Sequence, residues 1–160
     1  MGMKANSGYF KGTRGELKFK LNIQNFASKI FNKSGHVSLK SLNEHGSDLL
    51  DKNSKEIKEM MVEAGYEVEI KPSIHKTSSA QRVISLNSSK DRNISQIQVS
   101  LNGSSRHGNV PYVKVSTKDI GIVKIVNGSK DEYKAGKDEK AKIYFKGGRK
   151  KWNFRTLNLT

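Results

Sequence analysis

The residues of this chain best suited to chemistry are gathered in one string, Gly103-Ser-Ser-Arg-His-Gly-Asn-Val-Pro-Tyr-Val-Lys-Val-Ser-Thr-Lys118. Arg106 and His107 stand side by side, and Tyr112, Lys114 and Ser116 follow at alternate positions. A guanidinium, an imidazole, an ammonium and hydroxyl groups set close together are the parts of a phosphodiester-cleaving site that uses no metal. On RNA such a reaction needs a base for the 2′-hydroxyl, an acid for the leaving 5′-oxygen and cations for the phosphorane charge. Histidine titrates near neutrality and fills either proton-transfer role. His107 is the first candidate; His75, in Pro72-Ser-Ile-His-Lys-Thr-Ser-Ser79, is the second. Arg106 and Lys114 would stabilise charge, and Tyr112, Ser116 or Thr117 would supply a hydroxyl. Arg82, close to His75 in sequence, and Lys118 are candidates for holding a phosphate. The plainer readings are a hairpin with a polar outer face, an exposed loop imidazole at His75, and at His107 a turn residue bonded to its own backbone. His36 and His45 read as residues without chemistry.

Two glycines and a proline must position this string. Gly103 and Gly108 can take positive φ, so the segment between them can turn sharply. Pro111 locks its own φ and drives Val110 towards an extended conformation. From Tyr112 the chain alternates: Val113 and Val115 fall on one face, Tyr112, Lys114 and Ser116 on the other.

The wider chain predicts the frame. Asn53 caps a helix, with Glu56 in the capping-box position, and Ile57, Met60, Met61 and Ala64 recur as one apolar stripe. Gly65 follows where a glycine ends helices, and Leu49 and Leu50 extend the stripe, so a helix is expected within 47–64. The period then changes to two. Strands are expected at 66–71, 81–87, 94–101, 110–117, 121–126 and 140–145, separated by turn residues. The fold class is α+β: one or two N-terminal helices packed on an antiparallel, meander-like sheet. One face of that sheet should be exposed or binding, because its strands alternate. Residues 1–46 read as a weakly structured lead-in with one short helix at most, at Phe26–Phe31, after a possible short strand at Leu17–Ile23. Residues 47–160 read as the functional domain. Met1-Gly2-Met3 reads as an artificial start to a fragment. The tail Gly147-Gly-Arg-Lys-Lys-Trp-Asn-Phe-Arg155 is a basic arm. Arg149, Lys150, Lys151 and Trp152 suit phosphate contacts and base stacking, or equally an edge strand with solvated lysines.

Composition narrows the classes. The 160 residues contain 30 Lys and Arg against 15 Asp and Glu, a net charge of +15. Residues 110–160 hold thirteen basic and five acidic side chains, a net +8. Such a chain seeks polyanions: nucleic acid, an acidic protein or anionic lipid. There is no cysteine, so disulfides, thiolate chemistry and the usual zinc sites are excluded. There is no apolar run of the ~18 residues that a membrane span needs, and no signal-peptide stretch at the N-terminus. No phosphate-binding glycine signature is present, and no cofactor or metal is expected.

Three strings carry a resemblance: Gly65-Tyr-Glu-Val-Glu-Ile-Lys-Pro-Ser73, Arg92-Asn-Ile-Ser-Gln-Ile-Gln-Val-Ser100 and Arg106-His-Gly-Asn-Val-Pro-Tyr-Val-Lys-Val-Ser-Thr117. They resemble the C-terminal toxin modules of Gram-positive polymorphic toxins, some behind LXG-type secretion domains and others on phage-derived proteins. Gly8-Tyr-Phe-Lys-Gly-Thr-Arg-Gly-Glu16 and Leu21-Asn-Ile-Gln-Asn-Phe-Ala27 are similar to the junction before such modules. The resemblance covers about two thirds of the chain. It implies a secreted antibacterial toxin domain acting in the cytoplasm of a target bacterium, neutralised by a cognate immunity protein, often an acidic one. Many such modules are ribonucleases of the barnase, EndoU and RelE-like group, with a helix or two packed on an antiparallel sheet. In EndoU-like enzymes two histidines and a hydroxyl residue cooperate. Related modules include deoxyribonucleases and NAD-degrading enzymes. Asp91, Asp119 and Asp131 are scattered over separate turns, unlike the clustered carboxylates of a metal nuclease. Glu67 and Glu69 have no obvious partner as the catalytic glutamate of an NAD-cleaving site. The alternative from another class is a non-catalytic nucleic-acid-binding module, which the same charge and strands would serve.

Overall fold

A computed structural model describes residues 14–75 and 77–146. Among these, three α-helices, α1 (Arg14–Ile30), α2 (Leu39–His45) and α3 (Ser54–Glu63), precede six strands. The strands are β1 (Val68–Pro72), β2 (Gln81–Ser85), β3 (Ile94–Ser100), β4 (Tyr112–Thr117), β5 (Ile122–Val126) and β6 (Lys142–Phe145). They form one sheet in sequence order. The first five pair antiparallel, as a meander. The architecture is α+β, with the helices on one face of the sheet.

Local chemistry explains the helices. The Asn53 side chain accepts from the Glu56 backbone N–H at 2.9 Å, and the Glu56 carboxylate accepts from the Asn53 N–H at 3.0 Å, closing a capping box. Ile57, Met60 and Met61 form the buried stripe of α3, and Gly65 follows at φ 98°. The stretch Gly46–Asp51 is a 3₁₀ turn, so α3 starts at Ser54. That turn lies against β4 and β5, and Gly46 sits so close that a Cβ there would run into the Ile125 side chain. α3 packs over β1, β2 and β3. Val83, Ile97, Val99, Val113, Val115, Val123 and Ile125 meet Phe26, Ile30, Leu42, Leu49 and the α3 stripe in one core.

Two expectations need correction. The stretch 14–46 is not a weakly structured lead-in with one short helix: it holds two helices and sends Phe26, Ala27, Ile30 and Phe31 into the core. Leu17–Ile23 lies within α1 and is no strand, because Ile23, Phe26, Ala27 and Ile30 continue one helical spacing with no breaker between. Residues 1–13 lie outside the described part. The second correction is at β6, which pairs with β5 in parallel. Asn127-Gly128 does not close a hairpin; the chain crosses over the sheet through residues 127–141 before returning. The basic tail from Gly147 onward, read as an arm or an edge strand, also lies outside the described residues.

The loop after α1 is tied to the sheet by polar groups. Asn93, with no exposed surface, accepts from the Val37 N–H at 2.9 Å and donates to the Val37 carbonyl at 2.9 Å and the Asp119 carboxylate at 2.8 Å. Asp119 also meets His36 Nε2 at 2.7 Å. Its carboxyl is held below the usual range by the Asn93 hydrogen bond first, then by His36. The Tyr66 hydroxyl donates to the Gly35 carbonyl at 2.6 Å, and burial pushes its pKa up to about 12. Asn93→Ala would leave the N–H and carbonyl of Val37 buried without partners. It should lower stability by about 2–6 kcal/mol, at ~1–3 kcal/mol per orphaned group, seen as a fall in urea midpoint at unchanged m-value.

Candidate functional site

Pleating divides the sheet. Residues that share parity with Val113 and Val115 turn to the helices; those between them turn to the other face. On that open face the register lines up one row across five strands. Lys71 pairs with Arg82, Arg82 with Gln98, Gln98 with Lys114, and Lys114 with Lys124. Four cations and one amide therefore stand side by side.

Their surroundings differ. Lys71 meets Glu69 at 3.2 Å in an exposed pair. Arg82 Nε donates to the Pro72 carbonyl at 3.0 Å. Lys124 is enclosed: its ammonium reaches Glu139 at 2.6 Å and the Tyr133 hydroxyl at 2.8 Å, with side-chain exposures of 9% for Lys124 and 15% for Glu139. The Tyr133 hydroxyl lies 3.2 Å from the same Glu139 oxygen. Burial opposes the ionised form of Glu139, but the hydrogen bond and charge of Lys124 prevail and hold its carboxyl below the ordinary range. Tyr133 is pushed well above the usual phenol value by burial, then by Glu139. The Lys114 ammonium makes no hydrogen bond or ion pair among the described residues. Burial, then the Lys124 charge, lowers its pKa.

The loop between β3 and β4 is tightly determined. Gly103 (φ 71°), Gly108 (φ 86°) and Asn109 (φ 59°) all have left-handed backbones. A Cβ on Gly103 would collide with the backbone of Asn109 and Val110. Ser104 caps a short 3₁₀ turn, Ser105–His107. This geometry turns His107 inwards, to 5% exposure. Its Nδ1 lies 2.6 Å from the Lys134 carbonyl. A carbonyl only accepts, so Nδ1 carries a proton towards it, and Nε2 is the nitrogen left without this partner. The ring stacks on Tyr133 at 4.8 Å and meets Tyr112 edge-on at 6.3 Å. Lys134 and Tyr133 both belong to the crossover that Glu139 ties to Lys124.

A cleft of about 490 Å³ opens between this loop and the β1–β2 loop. It brings together His75, Arg106, His107 and Tyr112 of the sequence-predicted site. Lys114 and Arg82 lie beside it on the open-face row, each paired with the cleft residue Gln98. Ser116 shares the face but stands one step beyond Lys114, paired with Gln96 and Ile122. Thr117 does not belong: it has the parity of Val115, and its hydroxyl closes the β4–β5 turn, donating to the Gly121 carbonyl at 2.8 Å. Lys118 is also displaced from the cleft, at the far end of β4, where its ammonium reaches the Ser88 carbonyl at 3.3 Å. Arg149, Lys150, Lys151 and Trp152 lie outside the described residues.

Sequence reasoning passed over Lys124, Tyr133, Glu139 and Gln98. Lys124 carried a signal: it is the only charge in Ile122-Val-Lys-Ile-Val126, and a lysine flanked by apolar residues in a buried strand needs a partner. No family model, curated protein or solved structure matches this chain.

Removing one partner of an enclosed ion pair leaves the other charge stranded, at about 3–5 kcal/mol. Glu139→Ala should lose about that much stability at pH 7. The folded-state pKa of Glu139 is depressed, so its contribution is complete above the ordinary carboxylate value of 4.5 and fades as pH falls below it. Urea titrations should therefore show the gap between variant and wild type narrowing as pH falls below the ordinary carboxylate value.

Proposed function

We propose that this chain is a toxin domain that cuts RNA by metal-independent transesterification. The observation that carries the reading is the cleft, where His75 and His107 share one opening with Arg106 and Tyr112, beside the unpaired ammonium of Lys114. In this reading the neutral His107 Nε2 removes the proton of the 2′-hydroxyl. The 2′-oxygen attacks phosphorus, and the bond to the 5′-oxygen breaks as His75 gives that oxygen a proton. The products are a 2′,3′-cyclic phosphate and a 5′-hydroxyl. Arg106 and Lys114 face the phosphorane charge, and Arg82 holds a neighbouring phosphate. Lys114 suits the task because no carboxylate lies within ion-pair distance of it among the described residues, Glu139 acting on it only through space, so a phosphate meets a partly desolvated cation. The Lys134 carbonyl and the Tyr133 ring hold the His107 imidazole in its tautomer and orientation.

The basic excess supports the rest of the proposal: a secreted effector acting in the cytoplasm of a target bacterium, inhibited by an acidic immunity protein that covers the Arg106–Lys118 surface. A second reading, a binder of RNA that does not cut it, is favoured by the burial of His107, whose contacts also suit a purely structural ring.

Incubation with total RNA and with plasmid DNA, each with EDTA or Mg²⁺, separates the two. Cleavage of RNA to cyclic phosphate ends, indifferent to EDTA, is expected. Losing one general acid or base costs ~10²–10⁴-fold in rate, and His107→Ala and His75→Ala should each show such a loss. His75 is exposed, so its variant reads chemistry without a folding effect. Intact RNA that stays bound would establish the binder instead, and EDTA-sensitive cutting of DNA would overturn the reaction class.

A further inference from the structure

The cleft is lined by more groups than the cleavage chemistry uses, and their character differs from that of a phosphate site. Among the described residues its lining contains no carboxylate, and Arg106 is its only side chain with a permanent charge. The remainder is mostly hydroxyls and amides. Several hydroxyls are spent on shaping the two loops: Ser73 accepts from the His75 N–H at 3.2 Å, Ser78 from the Ala80 N–H at 3.1 Å, and Ser104 from the Arg106 N–H at 3.3 Å. The amides of Gln98, Asn102 and Asn109 are not spent in this way. The single hydrogen bond among those three side chains is a long one, 3.4 Å, between Gln98 and the Tyr112 hydroxyl.

Gln98 differs from the two asparagines in its mounting. It sits mid-strand on β3, bonded to β2 on one side and β4 on the other, and is half-buried. Its position is therefore set by the sheet, which holds a recognition group more firmly than a loop does. It is also the one neutral member of the row Lys71–Arg82–Gln98–Lys114–Lys124. A phosphate held by the cations on either side would leave the attached nucleoside beside the amide. An amide presents a donor and an acceptor together, the complement of the N6 and N7 edge of adenine. The cleft volume also falls in the ~300–1,000 Å³ range of small-molecule sites.

We infer that this cleft is a nucleobase-reading subsite in which Gln98 selects adenine. The inference rests on the proposed action on RNA, but it concerns binding and is tested without cleavage. The probes are the four nucleoside 3′-monophosphates and inorganic phosphate, titrated calorimetrically against wild type, Gln98→Ala and Gln98→Glu. Wild type should bind 3′-AMP about tenfold more tightly than 3′-UMP, a bidentate amide contact giving discrimination on this order. Gln98→Ala should bring the two within about twofold while phosphate affinity is kept. Gln98→Glu preserves the shape but lacks the amide donor, and should lose the preference while the chain stays folded. Equal binding of all four nucleotides by wild type, no binding of any, or an undiminished preference in both variants overturns the inference. RNA cleavage by wild type in any of those cases leaves the ribonuclease reading standing. Adenine preference in a protein that cuts no RNA supports the subsite and removes the nuclease.

Discussion

A lysine placed in the middle of a buried strand must find an anion, and much of the open face follows from how Lys124 finds one. Its partner is Glu139, 15 residues further on, and 2.6 Å away in space. Reaching it requires the chain to leave β5, pass over the sheet and return alongside as β6. The crossover lays Tyr133 against Tyr112, Val126 and Phe145, a second small apolar cluster on the side away from the helices. The same crossover delivers the Lys134 carbonyl to His107. One desolvated charge thus organises a strand, a cluster and the orientation of an imidazole. Attraction inside so dry an environment offsets the cost of removing the pair from water only when the geometry is good. The short contacts to both Glu139 and Tyr133 meet that condition.

The two faces of the sheet do different work. The helix side is continuous hydrocarbon from Val83 to Ile125, filled by α3, the 3₁₀ turn and the end of α1. Its stability does not depend on the other side being apolar. The open face is consequently free to carry cations: Glu139 neutralises Lys124, while Lys114 beside it and Arg82 across Gln98 have no carboxylate partner within ion-pair distance among the described residues.

Much of the frame was legible because it is written locally. The Asn53–Glu56 cap, the stripe of Ile57, Met60 and Met61 and the alternation at Tyr112–Ser116 each depend on residues a few positions apart. Even the misplacement of Thr117 was readable, since its parity with Val113 and Val115 already sets it on the helix side. The parallel return of β6 was not readable, because Asn127-Gly128 has the residues of a hairpin turn and only the distant need of Lys124 overrides it. The burial of His107 was hidden for the same reason: the carbonyl that holds it is 27 residues away. His75 and His107 were matched by chemistry alone; the common cleft is a product of the β1–β2 and β3–β4 loops opening on the same side.

The strand order has a consequence for assembly. Five strands join only sequential neighbours, so each pairing closes a short loop and can follow directly on the one before. β6 is the exception: its parallel pairing waits until β5 is in place and the whole crossover has been laid down. The helix-covered core gains only Tyr144 from this step, whereas His107 has neither its carbonyl nor its stacking partner until it occurs. Detachment of the crossover and β6 as one unit would therefore undo the imidazole geometry and strand the Lys124 charge, although the pairings of the five-strand meander do not involve it. In this topology the candidate cleft depends on a pairing that the five-strand meander does not use.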